Sequence, residues 1–332
     1  MELAVRAGAT TGIGSLPESD ARSAVEFSFS VCPDLPFLPQ LAGSDRSGQM
    51  VAQALVGVRG VEVSTSGALM VDPLRLDPPA TVVPDLDHPA YSCLPAFLEL
   101  ARSERPAAVK WQLTGPLTLA LALMRHGIPA RTAFDVGVRA VRTTTRALHR
   151  AIDDALPGVE QVVIIDEPST SAVLCPGFPV PPETAIDLVS GALAGVEMAV
   201  AAVGVHCCAD ADMMALVAAG PNLLSFPVRP EVVQFAGRLG SFLDRGGWIA
   251  WGVVPTDRPL GSADRYWREL QTIWRELEEQ GCDPVRLRHQ SLLTPVCGLG
   301  FHTTEQARSI FAMCTELSLH IESDAAAVVA RT

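Results

Sequence analysis

His206 and Cys208 flank Cys207 in the run Val205-His206-Cys207-Cys208. On extended backbone, side chains i and i+2 point to the same side, so His206 and Cys208 share a face and Cys207 takes the other. Imidazole nitrogen and thiolate sulfur are preferred zinc donors, and two on one face leave room for a third from elsewhere. Cys297 is the third candidate, in Thr294-Pro295-Val296-Cys297-Gly298-Leu299-Gly300, just past the last predicted strand. Three protein donors with one open position make a catalytic zinc site, and a thiol bound there is deprotonated at neutral pH. The competing reading is plain packing, because free cysteine is common among small buried residues. A His-x-Cys pair alone does not choose between the two.

Asp166-Glu167-Pro168 ends the apolar run Val162-Val163-Ile164-Ile165. Acids directly after a buried parallel strand are costly unless they face a ligand cavity or are paired. Asp166 is therefore read as a functional carboxylate, suited to an amino-acid ammonium. Glu167 is left between that role and a carboxylate at a helix start. Gly12-Ile13-Gly14-Ser15-Leu16-Pro17 closes the first predicted strand, and the amides around Ser15 suit a carboxylate. A simple Ser N-cap is the alternative. Thr114 lies in the turn signal Gln112-Leu113-Thr114-Gly115-Pro116, which says little by itself. His302 follows the Cys297 loop, where a general acid, a partner to a metal ligand and a solvated side chain are all open readings. Cys32, Cys93, Cys175, Cys282 and Cys314 are assigned to packing, and the other histidines to structural or surface positions.

These residues need a frame that brings them together. Short apolar runs alternate with Ala-, Leu- and Arg-rich helical stretches, the rhythm of βα units. Eight strands are predicted, over residues 11–15, 60–64, 108–113, 161–166, 204–207, 222–226, 248–252 and 290–294. Helices are predicted over 130–156, 182–202, 210–219, 263–280 and 304–319. The expected fold class is α/β, a single (β/α)8 TIM barrel over residues 1–332. Long loops are expected after the first and second strands, at 31–53 and 66–95. In such a barrel the active site lies at the C-terminal strand ends, where Ser15, Thr114, Asp166, His206, Cys208, Ser225 and Cys297 all fall.

The chain has 332 residues, a formal net charge of −12 and one lysine, Lys110, which excludes a basic nucleic-acid footprint. No stretch reads as a membrane span, since the most apolar segment, 186–205, carries Asp187 and Glu197. Adjacent Cys207 and Cys208 do not suit a disulfide framework, and the start of the chain lacks a signal-peptide layout. A cytoplasmic location is expected.

The order Ile13-Gly14-Ser15-Leu16-Pro17, Leu113-Thr114-Gly115-Pro116-Leu117-Thr118, Ile165-Asp166-Glu167-Pro168, His206-Cys207-Cys208 and Cys297-Gly298-Leu299 resembles the C-terminal catalytic barrel of cobalamin-independent methionine synthase. The resemblance covers nearly the whole chain. It implies zinc-dependent methyl transfer to homocysteine, with His206, Cys208 and Cys297 as zinc ligands. Ser15 and Asp166 then hold the amino-acid part of the substrate. Two family glutamates have no counterpart here. The strand after His-x-Cys reads Leu223-Leu224-Ser225-Phe226-Pro227, and Glu62 or Ser66 is the nearest candidate for the second. The family tryptophan that stacks on folate is replaced by the run Leu119-Ala120-Leu121-Ala122. Without that flat surface, methylcobalamin or a corrinoid protein is favoured as donor over methyl-tetrahydrofolate. A metal-free decarboxylase of the same fold and a non-catalytic, zinc-stabilised barrel binding a thiol or corrinoid partner are the alternatives.

Overall fold

The computed structural model describes residues 3–41, 49–64, 68–76, 82–195, 202–209 and 213–330. Among these, seven strands form one parallel sheet: β1 (Ala9–Thr10), β2 (Ala108–Thr114), β3 (Glu160–Asp166), β4 (Ala202–His206), β5 (Leu223–Pro227), β6 (Trp248–Val254) and β7 (Ser291–Pro295). The spatial order is β1-β7-β6-β5-β4-β3-β2. From β2 to β7 each strand lies beside its neighbour in sequence, while β1 pairs with β7. That order belongs to a sheet curled on itself, consistent with a TIM-like fold.

Both faces of the sheet are buried, as parallel strands under crossover helices require. Val109, Trp111, Leu113, Val163 and Ile165 belong to the large core shared with the helices. The alternate positions, among them Ala108, Val162, Ile164, Ala202 and Ala250, form a separate inner cluster. The long helices α5 (Ala130–Ala155), α9 (Ala263–Glu279) and α11 (Thr304–Val329) each turn an apolar stripe to the outer core. The first two match their predicted spans closely, whereas α11 runs ten residues past the expected end at Leu319. The helix expected over 182–202 is seen as α6 (Pro182–Leu193), and that expected over 210–219 as α7 (Met213–Ala218). Residues 196–201 and 210–212 lie outside the described residues.

Two predicted strands are corrected. The first divides: Ala9–Thr10 joins the main sheet, and Ser15–Leu16 pairs instead with Gln40–Leu41. The second, Val61–Val63, pairs antiparallel with Leu69–Val71 in a small hairpin apart from the main sheet. Its middle residue, Glu62, is exposed, which a barrel strand covered on both faces does not allow. Beside β2 runs Pro36–Leu41 instead. Lys110 N–H donates to Pro36 O at 2.9 Å, Leu38 N–H donates to Lys110 O at 2.8 Å, and Gln40 N–H donates to Gly14 O at 2.9 Å. This segment thus links β2, one edge of the sheet, to the chain just after β1, the other edge. Pro36 and Pro39 have no N–H to give, so against β2 it makes only an isolated bridge, Phe37 to Lys110. Residues 36–41 of the expected first long loop are therefore ordered against the sheet.

Candidate functional site

Strand register lines up four polar residues across neighbouring strand ends: Thr114 opposite Asp166, Asp166 opposite His206, and His206 opposite Ser225. Asp166, His206 and Ser225 face an interior cavity, together with Thr11, Lys110 and Thr294. The space open to a water centre there is about 10 Å³, room for one water molecule. A ligand larger than that must sit above this row, at the rim.

His206 is anchored from one side. Its Nδ1 lies 2.9 Å from Ser225 Oγ, while Nε2 is sealed from solvent with no partner. The next alternate side chain, Cys208, hydrogen-bonds to Cys297 and lies close to His206. Cys207 points the other way, into the outer core, with its thiol directed at Pro168 O. In the Cys208–Cys297 pair, donation to Cys297 pushes the Cys208 thiol up, and acceptance of that bond draws the Cys297 thiol down. Two such thiols share a proton, so the first thiolate to form is stabilised by the S–H that remains. Among the described residues, no group of three or more His, Cys, Asp or Glu side chains is disposed to hold a metal ion.

Asp166 is nearly fully buried, and its Oδ1 has no partner. Burial raises its pKa, opposed by the positive charge of His206 and of Lys110. Lys110 is buried too, and its pKa falls to about 8 because burial outweighs the attraction of Asp166 and Cys32. Its Nζ donates to Ile13 O and, at 2.7 Å, to Gln112 Oε1.

Glu167 turns away from this row. Its carboxylate accepts from Leu117 N–H at 2.8 Å, Thr118 N–H at 3.0 Å and the Thr118 hydroxyl at 2.7 Å. It thereby satisfies the first turn of α4 (Pro116–Arg125), a helix distant in sequence. Gly115 makes this approach possible, since a Cβ there would lie 2.2 Å from Glu167 Oε1. Thr114 likewise spends its hydroxyl on the backbone, donating to Met50 O at 2.8 Å.

Ser15 stands against the Cys297 loop. Leu299 N–H donates to its carbonyl at 2.8 Å, and Gly300 N–H reaches its hydroxyl at 3.4 Å. It is not a helix cap: α1 (Ala21–Val31) is capped by Asp20, which accepts from Ser23 N–H at 2.9 Å. His302 Nε2 donates to Thr256 O at 2.8 Å, leaving Nδ1 sealed and without a partner. Glu62 lies on the exposed hairpin and Ser66 is outside the described residues. Cys175, expected in packing, is exposed.

The fold therefore sets Asp166 opposite His206 and brings Cys208 to Cys297, with Ser15 against the Cys297 loop. It turns Glu167, Thr114 and His302 towards backbone partners. Lys110 and Gln112 were missed as inner residues. Their signal was present, because Lys110, Gln112 and Thr114 alternate with Val109, Trp111 and Leu113 at the period of a strand.

No family model matches the chain, and no curated protein matches it. Among solved structures, it is similar to a B12-independent methionine synthase from Shewanella sp. W3-18-1 in complex with selenomethionine. That match has 13% identity and a TM-score of 0.57, and covers 97% of this chain and 99% of the other. At that identity the likeness establishes the fold alone. A Bacteroides thetaiotaomicron protein assigned as an alpha-L-fucosidase follows at 11% identity, with 96% and 95% covered. Its TM-score of 0.37 is too low to bear on this chain. Among the described residues, no helix is long and apolar enough to cross a membrane.

Proposed function

We propose that this chain is a thiol methyltransferase that transfers a methyl group to homocysteine, giving methionine, at a zinc site formed by His206, Cys208 and Cys297. The observation that carries this reading is that His206, with its Nε2 left partnerless, lies opposite Asp166 in the sheet and close to Cys208, which in turn pairs with Cys297. A histidine anchored through one ring nitrogen with the other free is the usual orientation of a metal ligand. One imidazole nitrogen and two thiols suit zinc better than a hard cation. The donors touch pairwise rather than standing as a finished cage. When bound, zinc holds a substrate thiol as its thiolate at neutral pH.

The chain's own residues supply the rest. Asp166 accepts the substrate ammonium, and the Ser15 hydroxyl donates to the substrate carboxylate. His302 stands by the Cys297 loop as a proton donor or acceptor through Nδ1. In this reading Pro36–Leu41 acts as the second of eight barrel strands. The solved neighbour is named for methionine synthesis and holds selenomethionine, which supports an amino-acid thioether as product. The donor is a methylated corrinoid, free or carried by a partner protein, in preference to methyl-tetrahydrofolate. Leu119 and Ala120 are packed in the core and offer a pterin ring no flat surface. The decarboxylase alternative wants several cations around the cavity, whereas among the described residues Lys110 lines it without any arginine.

The metal content of the purified protein tests this directly. About one zinc per chain is expected, lost in both Cys208→Ser and Cys297→Ser while the circular dichroism of the fold persists. Methyl transfer to homocysteine from methylcobalamin and from methyl-tetrahydrofolate is then assayed on the same samples. A wild-type protein that carries no zinc and takes up none when offered it overturns the zinc mechanism.

A further inference from the structure

Lys110 is the chain's single lysine, and it sits inside the sheet rather than on the surface. A buried ammonium demands compensation, and an ammonium has three N–H bonds to place. Two are accounted for by Ile13 O and Gln112 Oε1. Among the described residues, Nζ makes no third hydrogen bond. Asp166 presents the complementary deficit, since its Oδ1 is sealed from solvent and accepts no hydrogen bond. Both residues line the same cavity, whose free space matches one water molecule.

We propose that Lys110 is a positioning residue: from inside the sheet it holds the Asp166 carboxylate through one bridging water, so that Asp166 offers its other oxygen to the ammonium of an amino-acid substrate. The proposal rests on the amino-acid reading above and adds the group that makes it selective. A carboxylate held from below at Oδ1 cannot turn, and its remaining oxygen is preorganised for a cation arriving from the rim. The rival role for Lys110 is purely structural. Its backbone joins β2 to Pro36 and Leu38, and its side chain reaches Ile13 beyond β1, so it also fastens the two edges of the sheet. A structural fastener affects all ligands alike; a positioning residue affects those with an ammonium.

Two measurements separate these roles. The first needs no ligand. Protein labelled with 15N-lysine gives a single side-chain ammonium signal, because there is one lysine. That signal is expected to be protected from solvent exchange and to shift in Asp166→Asn. An unchanged signal in a folded Asp166→Asn protein overturns the pairing. The second is calorimetric binding of L-methionine, of 4-(methylthio)butanoate, which lacks the ammonium, and of 3-(methylthio)propylamine, which lacks the carboxylate.

In Lys110→Met, affinity for methionine and for the amine is expected to fall roughly ten- to a hundredfold, with the butanoate little changed. Lys110→Arg, which keeps the charge, is expected to recover part of the loss and serves if Lys110→Met does not fold. Equal losses for all three probes, or none, overturn the positioning role. Wild-type protein that binds none of them overturns the amino-acid reading, and the recognition role with it, whatever the lysine signal does.

Discussion

Leu117 N–H, Thr118 N–H and the Thr118 hydroxyl all donate to Glu167, yet burial outweighs them and lifts its pKa from 4.5 to about 7. The fold therefore binds this proton more tightly than the unfolded chain does. The stability linked to it is fully present below about pH 4.5 and is lost as pH rises through about 7. Glu167→Gln removes the titration. The stability of wild type minus that of the variant should fall across this window, by at most about 1.4 kcal/mol per pH unit. Urea midpoints of both proteins at several pH values measure it, and a difference that stays flat refutes it. At this scale the sequence exposes type and position but seldom partner. Asp166 and Glu167 look equivalent after an apolar run, and only the fold sends one to the cavity and the other to a helix start 50 residues back. Lys110 and Gln112 alternate visibly with Val109, Trp111 and Leu113, but both faces of this strand are buried. Pattern alone does not say which face is inside.

Elements were legible where periodicity was strong and unbroken. The strands ending at Asp166 and His206 and the helices α5 and α9 follow directly from apolar runs and amphipathic stripes. The segment beside β2 was not, because Pro36 and Pro39 interrupt Leu35-Pro36-Phe37-Leu38-Pro39 and cost it ladder hydrogen bonds. The hairpin at Val61 took its place in the reading, having the β-branched composition without the burial. These two segments should respond differently to truncation. Phe37 is fully buried, its ring 5.9 Å from that of Phe311 and pressed on Gly12, where a Cβ would lie 2.4 Å away. Phe37→Ala should cost about 3–5 kcal/mol in urea unfolding. Met70→Ala, at a 59% exposed position in the hairpin, should change stability by about 0.5 kcal/mol or less. Similar small losses at both positions would mean that Pro36–Leu41 is not packed into the core.

For the molecule as a whole, the question is whether the proposed zinc would build the fold or only be received by it. The outer core runs continuously between sheet and helices, with Trp111, Trp251 and Trp274 all fully buried. The inner cluster fills the lower part of the sheet with Ala108, Val162, Leu223 and Leu292. Neither cluster includes His206, Cys208 or Cys297, which stand at one rim. Even the hydrogen bond that orients His206 comes from Ser225, a neighbour in the same sheet. A fold with this much core needs no metal to form, in contrast to small domains whose metal binding is their folding energy. Chelation should therefore abolish methyl transfer while far-ultraviolet circular dichroism and cooperative unfolding persist. The unfolding midpoint should drop only by the linkage term, about 2.7 kcal/mol when free metal was at a hundred times its dissociation constant, or several degrees. Parallel scans of metal-loaded and chelated protein, with transfer assays before and after zinc is restored, make the comparison. If chelation unfolds the chain, the zinc is structural, and the proposal of an open catalytic position falls.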